Sequence, residues 1–322
     1  MIGCRFVSRQ VYWLALLALL LGSLAGCSAW PFSQPGQAAS PTATGPATPV
    51  GSPTPSPQPG GSATIGYVGA LTDLNPAFDP DGLAATLLRP VVEGLISFAP
   101  DGQPHAWLAE SVPAPHGGGV SDDGRVVIIR LHQGVAWEDG QPFTADDLIF
   151  TYHVYRDPAN PFTDAARAPY QAMQAVDALD AYTVRVAYSL PASPYLHAFT
   201  TIFPAHLFNG QTHLAGAPYN RAPFGTGPFR VREWVPGDHL TLVRSSSYRD
   251  GGRPYLDAIV YRPFATLSAA ETALRAGTID LLLDPAVSVG VRAGPSSRSL
   301  HGLLPVSGQP VTWNSADWWR KP

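Results

Sequence analysis

The chain has 322 residues, 45% hydrophobic and 14% charged, with 10% aromatics; that length accommodates about two domains with a real core, and the aromatic content excludes wholesale disorder. A formal net charge of −4 gives no basic stripe, so a nucleic-acid binder is excluded. The two cysteines, Cys4 and Cys27, lie near the N-terminus, which leaves the body with neither a disulfide framework nor a cysteine metal site.

In chain order, the first element is an export signal. Arg5 and Arg9 precede an apolar run over 11–21 rich in Leu and Ala, which ends at Leu24-Ala25-Gly26-Cys27. The run is short and broken by Gly22 and Ser23, so a cleaved signal is favoured over an uncleaved membrane anchor. Leu-Ala-Gly-Cys resembles the lipobox of bacterial lipoproteins. That resemblance implies removal of residues 1–26 and acylation of Cys27, with several acyl chains giving a stable anchor on the extracytoplasmic face of the cell membrane. Residues 27–62 are rich in Pro, Ser, Thr and Gly, and no charged residue occurs between Arg9 and Asp73. Such a stretch cannot offset its chain entropy by burial, so it is expected to be an unfolded tether. It reaches on the order of 100 Å when extended at about 3.1 Å per residue.

The folded body is expected over 63–283. Residues 64–68 (TIGYV) form a first strand, and 83–92 a helix stopped by Glu93-Gly94. The β-branched run 125–131 predicts a buried strand. Thr144-Ala145-Asp146-Asp147 is a capping box opening a helix whose apolar face carries Leu148, Ile149, Tyr152 and Tyr155. Residues 183–188 alternate as a strand. So do 229–234 and 240–244, with Pro236-Gly237-Asp238 as the turn between them. A further strand follows at 258–261, then a helix over 268–276 that ends at Gly277. Interleaved strands and helices predict a mixed α/β (α+β) body.

A catalytic constellation is missing from the sequence: there is no GxSxG, HExxH, CxxC or GxxxxGK[ST]. Gly225-Thr226-Gly227 runs into Pro228 and a strand, whereas a nucleotide loop needs a helix N-terminus. The acidic pairs Asp122-Asp123, Glu138-Asp139 and Asp146-Asp147 are explained by a turn, a loop and a cap. No two of the nine histidines stand at i, i+4, so no metal site is expected. The chain reads as a non-enzyme without a cofactor. A secreted hydrolase is disfavoured on the same ground.

Several segments together resemble the family 5 extracellular solute-binding proteins of ABC transporters, the oligopeptide- and dipeptide-binding group. They are Leu74-Asn75-Pro76 with Val92-Glu93-Gly94-Leu95, PHAWLAES at 104–111, VIIRLHQGVAWEDGQPFTADDLIFTY at 127–152, FGTGPF at 224–229, YRDGGRPYLDAIVY at 248–261 and LRAGTIDL at 274–281. The resemblance implies a periplasmic-binding-protein-like type II fold in which two lobes close on a peptide held by main-chain hydrogen bonds. The implied partners are that peptide and the permease subunits of an importer. Nickel, haem and oligosaccharide ligands also occur in the family. On this basis Pro80, Asp81 and Gly82 are candidate ligand-facing backbone, with an ordinary surface loop as the alternative, and Trp137 is a scaffold aromatic of the small subdomain.

Family members are longer than this chain. Residues 63–283 match the first lobe with its small subdomain, and the second lobe is largely missing. The remaining 284–322 shows neither strand alternation nor helical periodicity and is expected to be an irregular tail, read as out of frame in a truncated product. The leading expectation is therefore a lipid-anchored, non-catalytic substrate-binding component of an importer. The alternative is a surface structural or sensory lipoprotein that keeps one lobe and no transport role.

Overall fold

In the computed structural model, residues 59–79, 82–99, 102–191, 193–284, 290–293 and 311–312 are described. The elements begin with β1 (Ser62–Val68), α1 (Leu83–Leu87), β2 (Ile96–Phe98), β3 (Pro104–Ala106) and β4 (Val126–Arg130). Then come α2 (Ala145–Arg156), α3 (Asp164–Gln171), β5 (Met173–Asp180), β6 (Thr183–Tyr188) and α4 (Ala205–Phe208). β7 (Phe229–Val235), β8 (His239–Arg244), β9 (Ala258–Phe264), α5 (Leu267–Arg275), β10 (Leu281–Asp284), β11 (Gly290–Ala293) and β12 (Val311–Thr312) complete the order.

β1 organises the larger sheet because its neighbours come from far along the chain. It pairs in parallel with β9 on one side and β10 on the other, in a seven-stranded order β12-β11-β10-β1-β9-β8-β7. Parallel neighbours require a crossover. α5 supplies the one between β9 and β10, packing Ala270 and Leu274 with Ile279 and Leu282. Gly66 of β1 makes room for this layer, since a Cβ there would stand 2.5 Å from the Ile279 side chain. Thr266 caps α5 by accepting from the Ala269 N–H at 3.2 Å, and Gly277 ends the turn with φ 71°, a left-handed conformation that costs glycine little.

The long excursion between β1 and β7 builds a second core. Its frame is a three-stranded antiparallel sheet in the order β4-β6-β5, over which α2 and α3 pack Leu148, Val154, Tyr155 and Tyr170 against Val127, Val184 and Val186. The first core joins Ile65, Tyr67, Leu74, Leu87 and Leu88 with Phe229, Leu240 and Ile259 from the larger sheet. The small β2–β3 sheet lies in the connection between them.

The capping box at Thr144 forms as the spacing predicts, with the Asp147 carboxylate accepting the Thr144 N–H at 2.9 Å. Asp147 also accepts from the Trp137 indole N–H at 3.1 Å and the Ala205 N–H at 2.8 Å, so one acid caps α2 and ties α4 to it. Burial raises its pKa, and these three donors oppose the rise. Trp137 is 2% exposed, as expected of a scaffold aromatic.

Two expectations are corrected. The helix over 83–92 is only five residues long, Leu83–Leu87, and turns fill the rest. Pro90 lacks the N–H that would continue the ladder and disfavours helical geometry at the residue before it. The stretch after 283 is not wholly irregular, since β11 and β12 extend the β10 edge by antiparallel pairing. The sequence reading also missed β5 and α3. β5 is exposed along most of its length, so the period-two signal is weak; α3 carries Pro169 within its span.

Candidate ligand-binding cleft

A cleft of about 510 Å³ opens beside both cores. Ala85 and Arg89, on and just after α1, line it beside the first core; Tyr155, Ala166 and Tyr170 of α2 and α3 line it from the second, which Ala77 of the lining pair Pro76 and Ala77 also joins. Ser97, Phe98, Trp107 and Thr200 complete the wall from the connecting segments. The surface is largely apolar and aromatic, with hydroxyls and the polar groups of Arg89, Glu93 and His197 among its lining, a composition that suits ligand binding.

Aromatic stacking shapes the second-core wall. Tyr155 and Tyr170 stack at 4.0 Å with 7° between planes, and Phe162 stacks on Tyr155 at 4.4 Å. Burial raises the pKa of both tyrosines above the usual phenol range. Their hydroxyls are therefore neutral hydrogen-bonding groups, and that of Tyr170 accepts the Phe199 N–H at 2.8 Å. Phe98 stacks on His197 at 4.9 Å and 13°.

Glu93 is the carboxylate of the cleft wall, which also carries Arg89, and its side chain is fully buried. The Arg249 guanidinium donates to its two oxygens at 2.6 and 3.1 Å, the Thr226 hydroxyl donates at 2.9 Å, and the Trp107 indole N–H completes the set. Burial opposes the Arg249 charge, but the field and hydrogen bonds of Glu93 outweigh it and raise the guanidinium pKa. The carboxylate is thus balanced by a cation and two further donors of the chain itself. Thr226 reaches it because its flanking glycines approach the backbone closely. A Cβ at Gly225 would lie 1.8 Å from the Val91 carbonyl oxygen, and one at Gly227 2.4 Å from that of Pro90. These glycines serve packing, in keeping with the rejection of a phosphate loop.

Of the residues singled out from sequence, Gly82 is the half-buried N-cap of α1 and donates its N–H to the Asp79 carbonyl at 3.2 Å. Gly82 itself is not among the residues that line the cleft, which include Pro76 and Ala77 before it in sequence and Ala85 and Arg89 after it. Pro80, Asp81 and Cys27 lie outside the described residues. Among the described residues no cluster of His, Cys, Asp or Glu is arranged to hold a metal ion, and no helix is long and apolar enough to cross a membrane. Sequence reasoning missed Trp107, Tyr155, Tyr170 and the role of Glu93. The available signals were the acid directly after an apolar run for Glu93 and the apolar face of α2 for Tyr155; Trp107 and Tyr170 carried none of comparable strength.

The model of the bacterial extracellular solute-binding proteins, family 5 (Middle), matches residues 103–290. The chain belongs to this family. Over 265 residues it is 27% identical to the oligopeptide-binding protein AppA of Bacillus subtilis, covering 80% of this chain and 47% of that protein. The structure of that AppA in complex with a nonapeptide superposes with a TM-score of 0.64 at 28% identity, over 71% of this chain and 45% of the other. CtaP of Listeria monocytogenes, an ABC transporter substrate-binding protein, aligns at a TM-score of 0.61 and 28% identity, over 76% and 47% of the two chains. The fold is therefore the periplasmic-binding-protein type II fold of this solute-binding family. The chain spans about half the length of the curated relatives it matches.

Proposed function

We propose that this chain is the peptide-binding lobe of a substrate-binding lipoprotein that serves an ABC importer without catalysing a reaction. The observation that carries the reading is the cleft itself: an aromatic and hydroxyl-lined wall, whose one buried carboxylate is internally neutralised, in a member of a solute-binding family. In this reading Pro80, Asp81 and Gly82 belong to the loop that meets the ligand backbone. Main-chain hydrogen bonds would supply affinity there with little demand on ligand sequence, and water would fill the space that side chains leave. Residues 63–283 form the lobe and its small subdomain, 27–62 the tether, and acylation of Cys27 after removal of 1–26 the anchor. Delivery to a permease is the expected outcome of binding.

Ligand-observed NMR with a mixed-sequence nonapeptide at millimolar concentration tests the binding. Saturation transfer to the peptide that Tyr155→Ala abolishes is the expected result, and no transfer to the wild-type chain would overturn it. Membrane fractionation of Cys27→Ser tests the anchor: the variant is expected in the soluble fraction, and wild-type partitioning would refute acylation there.

A further inference from the structure

A buried run of side-chain amides ties the lining residues Pro76 and Ala77 to the chain that leaves α2. Asn75, directly before the lining residues Pro76 and Ala77, is 0% exposed. Asn160, in the connection between α2 and α3, is 3% exposed, and Asn220, in the turn over Pro218–Arg221, is 4% exposed. Asn75 Nδ2 donates to Asn220 Oδ1 at 2.9 Å, and Asn220 Nδ2 donates to the Leu214 carbonyl at 2.8 Å. The Leu214 N–H donates to Asn160 Oδ1 at 2.7 Å, and Asn160 Nδ2 donates to the carbonyls of Val154 and Thr212 at 2.9 and 2.7 Å.

The backbone sets the sense of every link. The Leu214 carbonyl only accepts, so Asn220 must turn its NH2 toward it and its oxygen toward Asn75. The Leu214 N–H only donates, so Asn160 must turn its oxygen toward it. Reversing any one amide would set like groups against each other at both of its ends. In a buried environment such a chain is stiff, because an unmet polar group there has no water to replace its partner. Each end is fastened to the wall it serves. Asn75 Oδ1 accepts the Ala77 N–H at 3.1 Å, and the Leu74 N–H donates to the Asn220 carbonyl at 2.8 Å. At the other end Arg167 of α3 donates to the carbonyls of Asn160, Tyr155 and Asp157.

We infer that Asn220 is a positioning residue of the cleft, fixing the lining residues Pro76 and Ala77 against the wall made by α2 and α3. Its bearing on ligand binding rests on the cleft being the peptide site. Residue-resolved hydrogen exchange on the full chain tests it directly. In Asn220→Ala the amides of Ala77 and Leu214 are expected to exchange at least tenfold faster, while amides of the β4–β6 ladder keep wild-type rates. Asn220→Asp preserves volume and the acceptor for Asn75 but removes the donor to the Leu214 carbonyl, so residue 214 is loosened and its amide, held by Asn160, is expected to accelerate more than that of Ala77. Unchanged exchange at Ala77 and Leu214 in both variants would overturn the inference. Equal acceleration across the whole chain would overturn it as well, since that marks a general loss of stability. Saturation transfer to the nonapeptide is read on the same samples and is expected to fall at least fivefold in Asn220→Ala. If wild type transfers nothing while the local exchange pattern holds, the peptide-binding reading fails and the positioning role stands.

Discussion

At the scale of single residues, Glu93 shows how burial changes the meaning of a charge. A lone carboxylate with a fully buried side chain would be prohibitive, and its tolerance here comes from Arg249, Thr226 and Trp107 together. Removing the cation leaves the anion stranded, so Arg249→Met is expected to lower stability by about 3 kcal/mol. Urea denaturation would show this as a lower midpoint with an unchanged slope. Adding Glu93→Gln to that variant is expected to cost less than the two single changes added together, because the changes share one interaction. His239 gives a weaker and pH-dependent case. Its hydrogen bond to Asp238, aided by Glu233, raises its pKa above the ordinary 6.5. The pair's stabilisation is fully present below the unfolded-state pKa and is lost as pH rises through the raised folded value. Solvent screening limits it to a few tenths of a kcal/mol. The difference in urea midpoint between wild type and His239→Gln is expected to shrink between about pH 6 and pH 9, and a difference that grows with pH would contradict this assignment.

Among the elements, the ones read correctly from sequence carry their determinants within a few residues. The α2 cap needs only Thr144 and Asp147, three apart. The β7–β8 hairpin needs two alternating runs and the turn between them. α1 fails as a ten-residue helix for an equally local reason, Pro90, although the apolar pattern runs past it. The Gly225-Thr226-Gly227 segment differs, because its requirement comes from a strange quarter of the chain: the carbonyls at 90 and 91. Gly225→Ala would drive a methyl into the Val91 carbonyl and is expected to cost at least about 3 kcal/mol. Gly237→Ala, in the β7–β8 turn at φ 80° with open space around it, is expected to cost only about 1 kcal/mol of left-handed strain. Thermal unfolding of the two variants compares them directly, and equal losses would mean that backbone approach is unimportant at Gly225.

For the molecule as a whole, the decisive feature is that two cores share one cleft. The larger sheet takes strands from both ends of the excursion, and the second, more populous core is built within the excursion. Closure on a ligand needs walls that face each other, and this chain spans about half of the relatives it matches. Peptide binding by these 322 residues alone is therefore expected to be weak, with Kd above roughly 10 μM, or about −7 kcal/mol. Titration calorimetry with the nonapeptide reads this, and substantially tighter binding would show that one lobe encloses the ligand by itself.

Composition, half of the twelve strands among the described residues and the α2 cap follow from the sequence alone, because propensity, periodicity and capping act between neighbours in the chain. The family motifs likewise stood in plain order from 74 to 281. The cleft did not. Glu93 and Arg249 are 156 residues apart and Asn75 and Asn220 are 145 apart, and nothing in either local sequence announces its partner. Only the packed fold removes water from these groups, and it is the loss of water that obliges each donor to find its acceptor.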